Sequence, residues 1–147
     1  MEYSEGKLGR IFYLRFDNEE AIYDALSDFI KEKSIKAGII HFIGALKNTE
    51  CVSGPKKTEV PPEPHWHSLP EAHEVMGVAT IAWTNTGPKI HVHTAFGKGK
   101  EAFVGCIRGQ SDVFLVIEAI VFEIDGVTAL RREDKKLGIN KLMFEKE

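Results

Sequence analysis

Cysteine is scarce in this 147-residue chain. Cys51 and Cys106 stand alone and far apart, which excludes the dense pairing of a disulfide-stapled secreted domain and points to a reducing compartment. Long apolar runs are lacking as well. No stretch approaches the roughly 20 residues of a membrane span, and the opening MEYSEGKLGR has no apolar segment of the signal-peptide kind. No membrane partner and a cytoplasmic location are therefore expected. Excess positive charge is missing: 19 Lys and Arg face 22 Asp and Glu, for a net charge of −3. The chain as a whole is not drawn to a phosphate backbone, so nucleic-acid binding would need a local basic patch. Repeats and low-complexity tracts are absent, and the one proline-rich stretch, Val60 to Pro64 (VPPEP), reads as a loop rather than a linker.

What is present is the composition of a folded globule, 43% hydrophobic and 28% charged. A chain of this length buries about 68–70% of its unfolded surface, enough for one core, so residues 1–147 are expected to form a single domain. Arg10 to Phe16 is β-branched and aromatic and predicts a strand. Asp17 with Glu20 three residues later fits a capping box, and Ile22, Leu26, Phe29 and Ile30 recur at helical spacing, with Lys31 and Lys33 suited to the last turn. Further strands are predicted at 38–45, 50–53, 75–85, 89–95, 114–124 and 128–132. The turn residues Asn85-Thr86-Gly87-Pro88 and Asp125-Gly126 predict short antiparallel links. A helix packed on a mostly antiparallel sheet, an α+β fold, is the economical arrangement. Gly97-Lys98-Gly99-Lys100 lacks the GxxxxGK[ST] spacing of a phosphate loop.

The chemistry concentrates in Ile90-His91-Val92-His93. In a strand, side chains at i and i+2 share a face, so His91 and His93 present two imidazoles side by side while Ile90, Val92 and Thr94 face the other way. Zinc and similar divalent transition metals take imidazole nitrogen, and a thiolate joins readily. Cys106, thirteen residues after His93 and beyond a glycine-rich turn, is the first candidate for a third ligand. The alternative is two ordinary strand histidines and a small buried cysteine. His65, His67 and His73 form a second cluster, flanked by prolines. There an extended loop could fold over the site and supply a ligand, His73 foremost, or could simply be solvated. His41, within GIIHFIGAL, reads as a hydrogen-bonded core histidine. Glu118, alone amid FLVIEAIVF, reads as a buried carboxylate that either orients a ligand histidine or pairs with Arg10 or Arg15.

In this order the motifs resemble the plants-and-prokaryotes-conserved (PPC) domain, found alone in bacterial and archaeal proteins and beside AT-hooks in plant nuclear proteins. The resemblance rests on the strand and helix of Arg10 to Lys33, on GIIHFIGAL with its glycine-centred turn at Gly44, and on IHVHTAFG. It continues through VIEAIVFEI around Glu118 and the tail with Arg131, Asp134 and Leu142. It implies a central, mostly antiparallel sheet flanked by helix, assembled as a homotrimer. In several prokaryotic members the paired histidines act on a metal with a third histidine from a Gly-Gly-His segment, which here reads Val104-Gly105-Cys106. The exchange of nitrogen for sulfur either favours zinc or abolishes the site. No Arg-Gly-Arg-Pro hook occurs in the chain, so DNA binding does not carry over directly from the plant proteins.

Three functions follow. The first is a trimeric metal-binding domain with His91, His93 and Cys106 as ligands and His73 or Glu118 as a further ligand or an outer partner. The second is a DNA-binding regulator using basic sites at Lys56-Lys57, Lys98 with Lys100, Arg131-Arg132 and Lys135-Lys136. The third is a metal-dependent enzyme with an open coordination position and Glu118 or Glu74 as base. A cupin is disfavoured, because Gly97 and Lys98 stand where that family carries a Glu. No catalytic triad or carboxylate pair stands out to name a substrate.

Overall fold

Alternating burial along most of the strands has one structural result: a single long sheet with one dry face. The computed structural model describes residues 1–145. Strand β1 (Lys7–Asp17) leads to the only helix among them, α1 (Ile22–Lys33), and then come β2 (Gly38–Lys47), β3 (Thr49–Pro55), β4 (Pro64–Leu69) and β5 (His73–Thr84). They are followed by β6 (Gly87–Lys98), β7 (Glu101–Ile107), β8 (Asp112–Asp125), β9 (Ala129–Asp134) and β10 (Ile139–Phe144). The strands lie side by side in the order β1-β8-β2-β5-β6-β7-β3-β4, every neighbouring pair antiparallel.

Helix α1 covers the dry face. Ile22, Leu26 and Ile30 are buried, Phe29 meets Phe12 edge-on at 5.1 Å, and the Tyr23 hydroxyl donates to the Ile90 carbonyl at 3.2 Å. Ser34 ends the helix in the left-handed conformation, with its N–H turned back to Lys31. The helix starts later than the predicted capping box. Only half of that motif forms, the Asp17 N–H donating to the Glu20 carboxylate at 2.5 Å. The chain then makes a further turn, and Ala21 takes the N-cap position with no side-chain bond.

Beneath α1 the core runs through Ile40, Ala79, Val92, Phe96, Ile117 and Val121. Glycine is required at two points. Gly77 lies opposite Phe42, whose ring occupies the space a Cβ would need. Gly44, at φ 136°, sits at a register shift between β2 and β8. The glycine-centred turn expected there is a bulge inside a continuous strand, and it turns the register so that Ala45 and Leu46 are both buried.

Three strands lie where the sequence predicted none: β4, β7 and β10. The Asp125-Gly126 hairpin is also corrected. Strand β9 does not fold back on β8; it pairs with β10 and touches β5 in parallel at Trp83 and Leu130. The Thr84–Gly87 turn forms as expected, leaving Asn85 and Thr86 between paired strands.

Candidate metal centre

Strand β6 turns Ile90, Val92, Thr94 and Phe96 into the core and His91, His93 and Ala95 outward. Strand β7 runs beside it, and Phe96 stacks on Phe103 at 5.2 Å across the dry face. That contact fixes the register in which His93 stands opposite Cys106 on the outer face. The Nε2 atoms of His91 and His93 are 3.2 Å apart, and one ring nitrogen from each histidine and the Cys106 sulfur lie within 4.8 Å of one another. Two imidazole nitrogens on one tetrahedral zinc are separated by roughly 3.3–3.4 Å, and a nitrogen and a sulfur by roughly 3.5 Å. The histidine pair already has that spacing. The sulfur has to close by about 1 Å, within the reach of a small χ1 rotation. The donor set therefore fits a borderline-soft divalent metal.

The surroundings favour neutral imidazole at His91. Burial first, then the nearness of Arg131, His93 and Arg108, lower its pKa to about 4, so the ring is uncharged at neutral pH. Burial pushes the Cys106 thiol up, while Arg108 and Arg131 pull it down. Binding a metal there releases the thiol proton.

The other predicted residues lie elsewhere. His73 opens β5 on the inner side, its Nδ1 2.8 Å from the Glu71 carbonyl and its ring edge-on to Phe96. Val78, which faces His93, is five residues further along β5, roughly 17 Å away. Glu118 is exposed on the outer face of β8, three strands from β6, and accepts a hydrogen bond from Tyr13 at 2.6 Å. It is neither buried nor paired with arginine; Arg10 is bound instead to Glu123 at 2.7 Å. Alternation explains the difference: β8 buries Ile117, Ala119 and Val121, which turns Glu118 outward. His41 is exposed by the same logic and meets the Phe122 ring edge-on, so it is not a core histidine. Glu74 is exposed opposite Gly97. His65 and His67 lie on β4, a strand rather than a loop, with His67 Nε2 2.6 Å from the Ser53 hydroxyl. Arg108 and Arg131 set the charge around His91; Arg108 has no mark in the sequence beyond an ordinary basic residue, and Arg131 stands out there only as part of the C-terminal tail and a basic pair, with nothing to link it to the histidines.

The sequence model of the Plants and Prokaryotes Conserved (PCC) domain matches residues 3–125. The chain belongs to that family. Its fold agrees with several solved structures. The metal-containing protein of Archaeoglobus fulgidus is 25% identical, with 97% of this chain and 99% of that one covered at a TM-score of 0.85. The plant- and prokaryote-conserved protein of Pyrococcus horikoshii is 23% identical, with 100% and 99% covered at a TM-score of 0.82. A candidate DNA-binding protein of Bacteroides thetaiotaomicron is 25% identical, with 98% and 99% covered at 0.77. No curated protein matches the chain. Among the described residues no helix of this PCC domain is long and apolar enough to cross a membrane.

Proposed function

We propose that this PCC domain, a single domain over residues 1–147, holds a divalent transition metal on His91, His93 and Cys106 and serves a regulatory or assembly role as a homotrimer in the cytoplasm. The observation that carries the reading is the 3.2 Å approach of the two Nε2 atoms beside a cysteine directly across the sheet. A metal-containing relative of the same fold supports it. Zinc is the favoured ion, because two imidazoles and a sulfur suit it better than magnesium or calcium, which take oxygen. Among the described residues no carboxylate joins the cluster, so binding is a better account than hydrolysis, which would need a base near the open position. Metal analysis of protein purified without a histidine tag tests this: near-stoichiometric zinc is expected, and a metal-free preparation that takes up none on addition overturns it.

The trimer rests on the outer face, where Ile11, Tyr13, Ile43, Met76, Val78 and Val104 are exposed. An apolar sheet face of that kind calls for a partner. Sedimentation equilibrium should give three times the chain mass, and Met76→Glu should lower it.

A second reading, DNA binding, is favoured by the Bacteroides relative. Two of its basic residues are already engaged, Lys56 with Glu63 and Lys98 with Glu71. A mobility shift that weakens steeply with salt would support it.

A further inference from the structure

Beyond His93 and Cys106 the pairing of β6 with β7 stops, and Ile107 pairs with Cys51 of β3 instead. A cavity of about 590 Å³ lies where the two strands part, within the size range of small-molecule sites. His91 and Cys106 form part of one wall, while Pro62 and Trp66 come from the β3–β4 arm and Ile139 to Leu142 from β10. Four cationic residues line it, Lys89, Arg108, Arg131 and Lys141, and among the described residues no Asp or Glu does, although carboxylates outnumber basic residues in the chain as a whole.

Arg131 is the telling member. Its guanidinium donates to the Thr80 hydroxyl at 3.1 Å and to the Asn140 carbonyl at 3.3 Å, and its Nε is buried with no partner. Among the described residues it makes no salt bridge with a carboxylate. A half-buried guanidinium with no counter-charge leaves a desolvation cost uncompensated, and its flat fork of donors matches phosphate or carboxylate oxygens in pairs. Trp66, which is 53% exposed, offers an aromatic surface at the same cavity, where a flat apolar group could lie.

We infer that this cavity is a binding site for a small organic anion, a phosphate or carboxylate attached to a flat apolar body, with Arg131 holding the anionic head and Trp66 packing on the body. The site uses groups outside the proposed metal ligand set, so it stands or falls separately from the metal reading.

Calorimetric titration of metal-stripped protein with phenyl phosphate, benzoate and inorganic phosphate tests it, with the zinc-supplemented protein run in parallel. Phenyl phosphate or benzoate should bind the stripped protein, more tightly than inorganic phosphate, and less tightly as sodium chloride is raised. Arg131→Met should weaken binding by about tenfold or more, the loss of a charge-assisted pair, and Arg131→Lys should restore part of it. Trp66→Ala should weaken phenyl phosphate and leave inorganic phosphate unchanged. Lys141→Gln, a surface change that spares the fold, should give a smaller loss of the same sign, which keeps the test valid if Arg131→Met fails to fold. Three outcomes overturn the inference: no organic anion binds the stripped protein, binding is indifferent to both Arg131 and Lys141, or only duplex DNA binds through Arg131. Absence of metal uptake with anion binding intact would sink the metal proposal and leave this one standing.

Discussion

Two His-x-His pairs lie in this sheet, and only one of them makes a donor cluster among the described residues. His91 and His93 on β6, and His65 and His67 on β4, share the same spacing, and each pair has a cysteine directly across the register: Cys106 opposite His93 and Cys51 opposite His67. The ring centroids are nearly as close, 4.8 Å and 4.7 Å. The difference lies in what surrounds the donors. On β6 the rings stand at 85° with their Nε2 atoms converging. On β4 the rings tilt by 38°, His67 leans on Phe103, and its Nε2 is held by Ser53. Cys51 is wholly buried within the core, and a register shift between Val52 and Pro55 disturbs the strand opposite His65. Spacing supplies two imidazoles on one side of a strand; a free third donor and converging nitrogens are what make a site.

The largest effect should come from breaking one pair and then the other. His91→Ala with His93→Ala should abolish zinc retention, while His65→Ala with His67→Ala should leave the metal content unchanged, both read by metal analysis after gel filtration. If the β4 double variant also lost its zinc, the contrast between the two pairs would be void.

A smaller effect sharpens the same contrast through pH. In metal-free protein the folded-state pKa of His91 is about 4, below its ordinary value of 6.5. Between those values the unfolded chain binds the proton and the folded chain does not, so stability falls as pH drops through that window and is unaffected at pH 7. Allowing for partial exposure, the loss should be up to about 2 kcal/mol. Urea unfolding at pH 7 and pH 4.5, for the parent and His91→Gln, measures it, and the variant should show a flatter profile.

The legible part of this molecule was its alternation. Strand β6 carries a β-branched inner face and a histidine outer face, so the side on which His91 and His93 fall was readable from period two alone, as was the apolar stripe of α1. Strand β7 was not: Glu-Ala-Phe-Val-Gly-Cys-Ile reads weakly, and its strand state depends on pairing with β6 and β3 rather than on its own residues. Glu118 and His41 depart from expectation because an apolar neighbourhood in sequence does not imply burial. In a sheet with one dry face, the residue between two core positions points the other way. Arg108 and Arg131 reach His91 only through long-range pairing, which no local pattern announces.

The smallest change asks which obstacle keeps the β4 pair from resembling the β6 pair. Ser53→Ala removes the bond that occupies His67 Nε2, at a cost of about 1 kcal/mol, or roughly 2–4 °C in Tm for a chain of this size. It does nothing to Cys51, whose sulfur stays in the core. Zinc stoichiometry should therefore remain that of the parent despite the freed nitrogen. A second equivalent of zinc in Ser53→Ala would mean that the hydroxyl alone separates the two pairs, and that burial of the cysteine is no barrier to its use as a ligand.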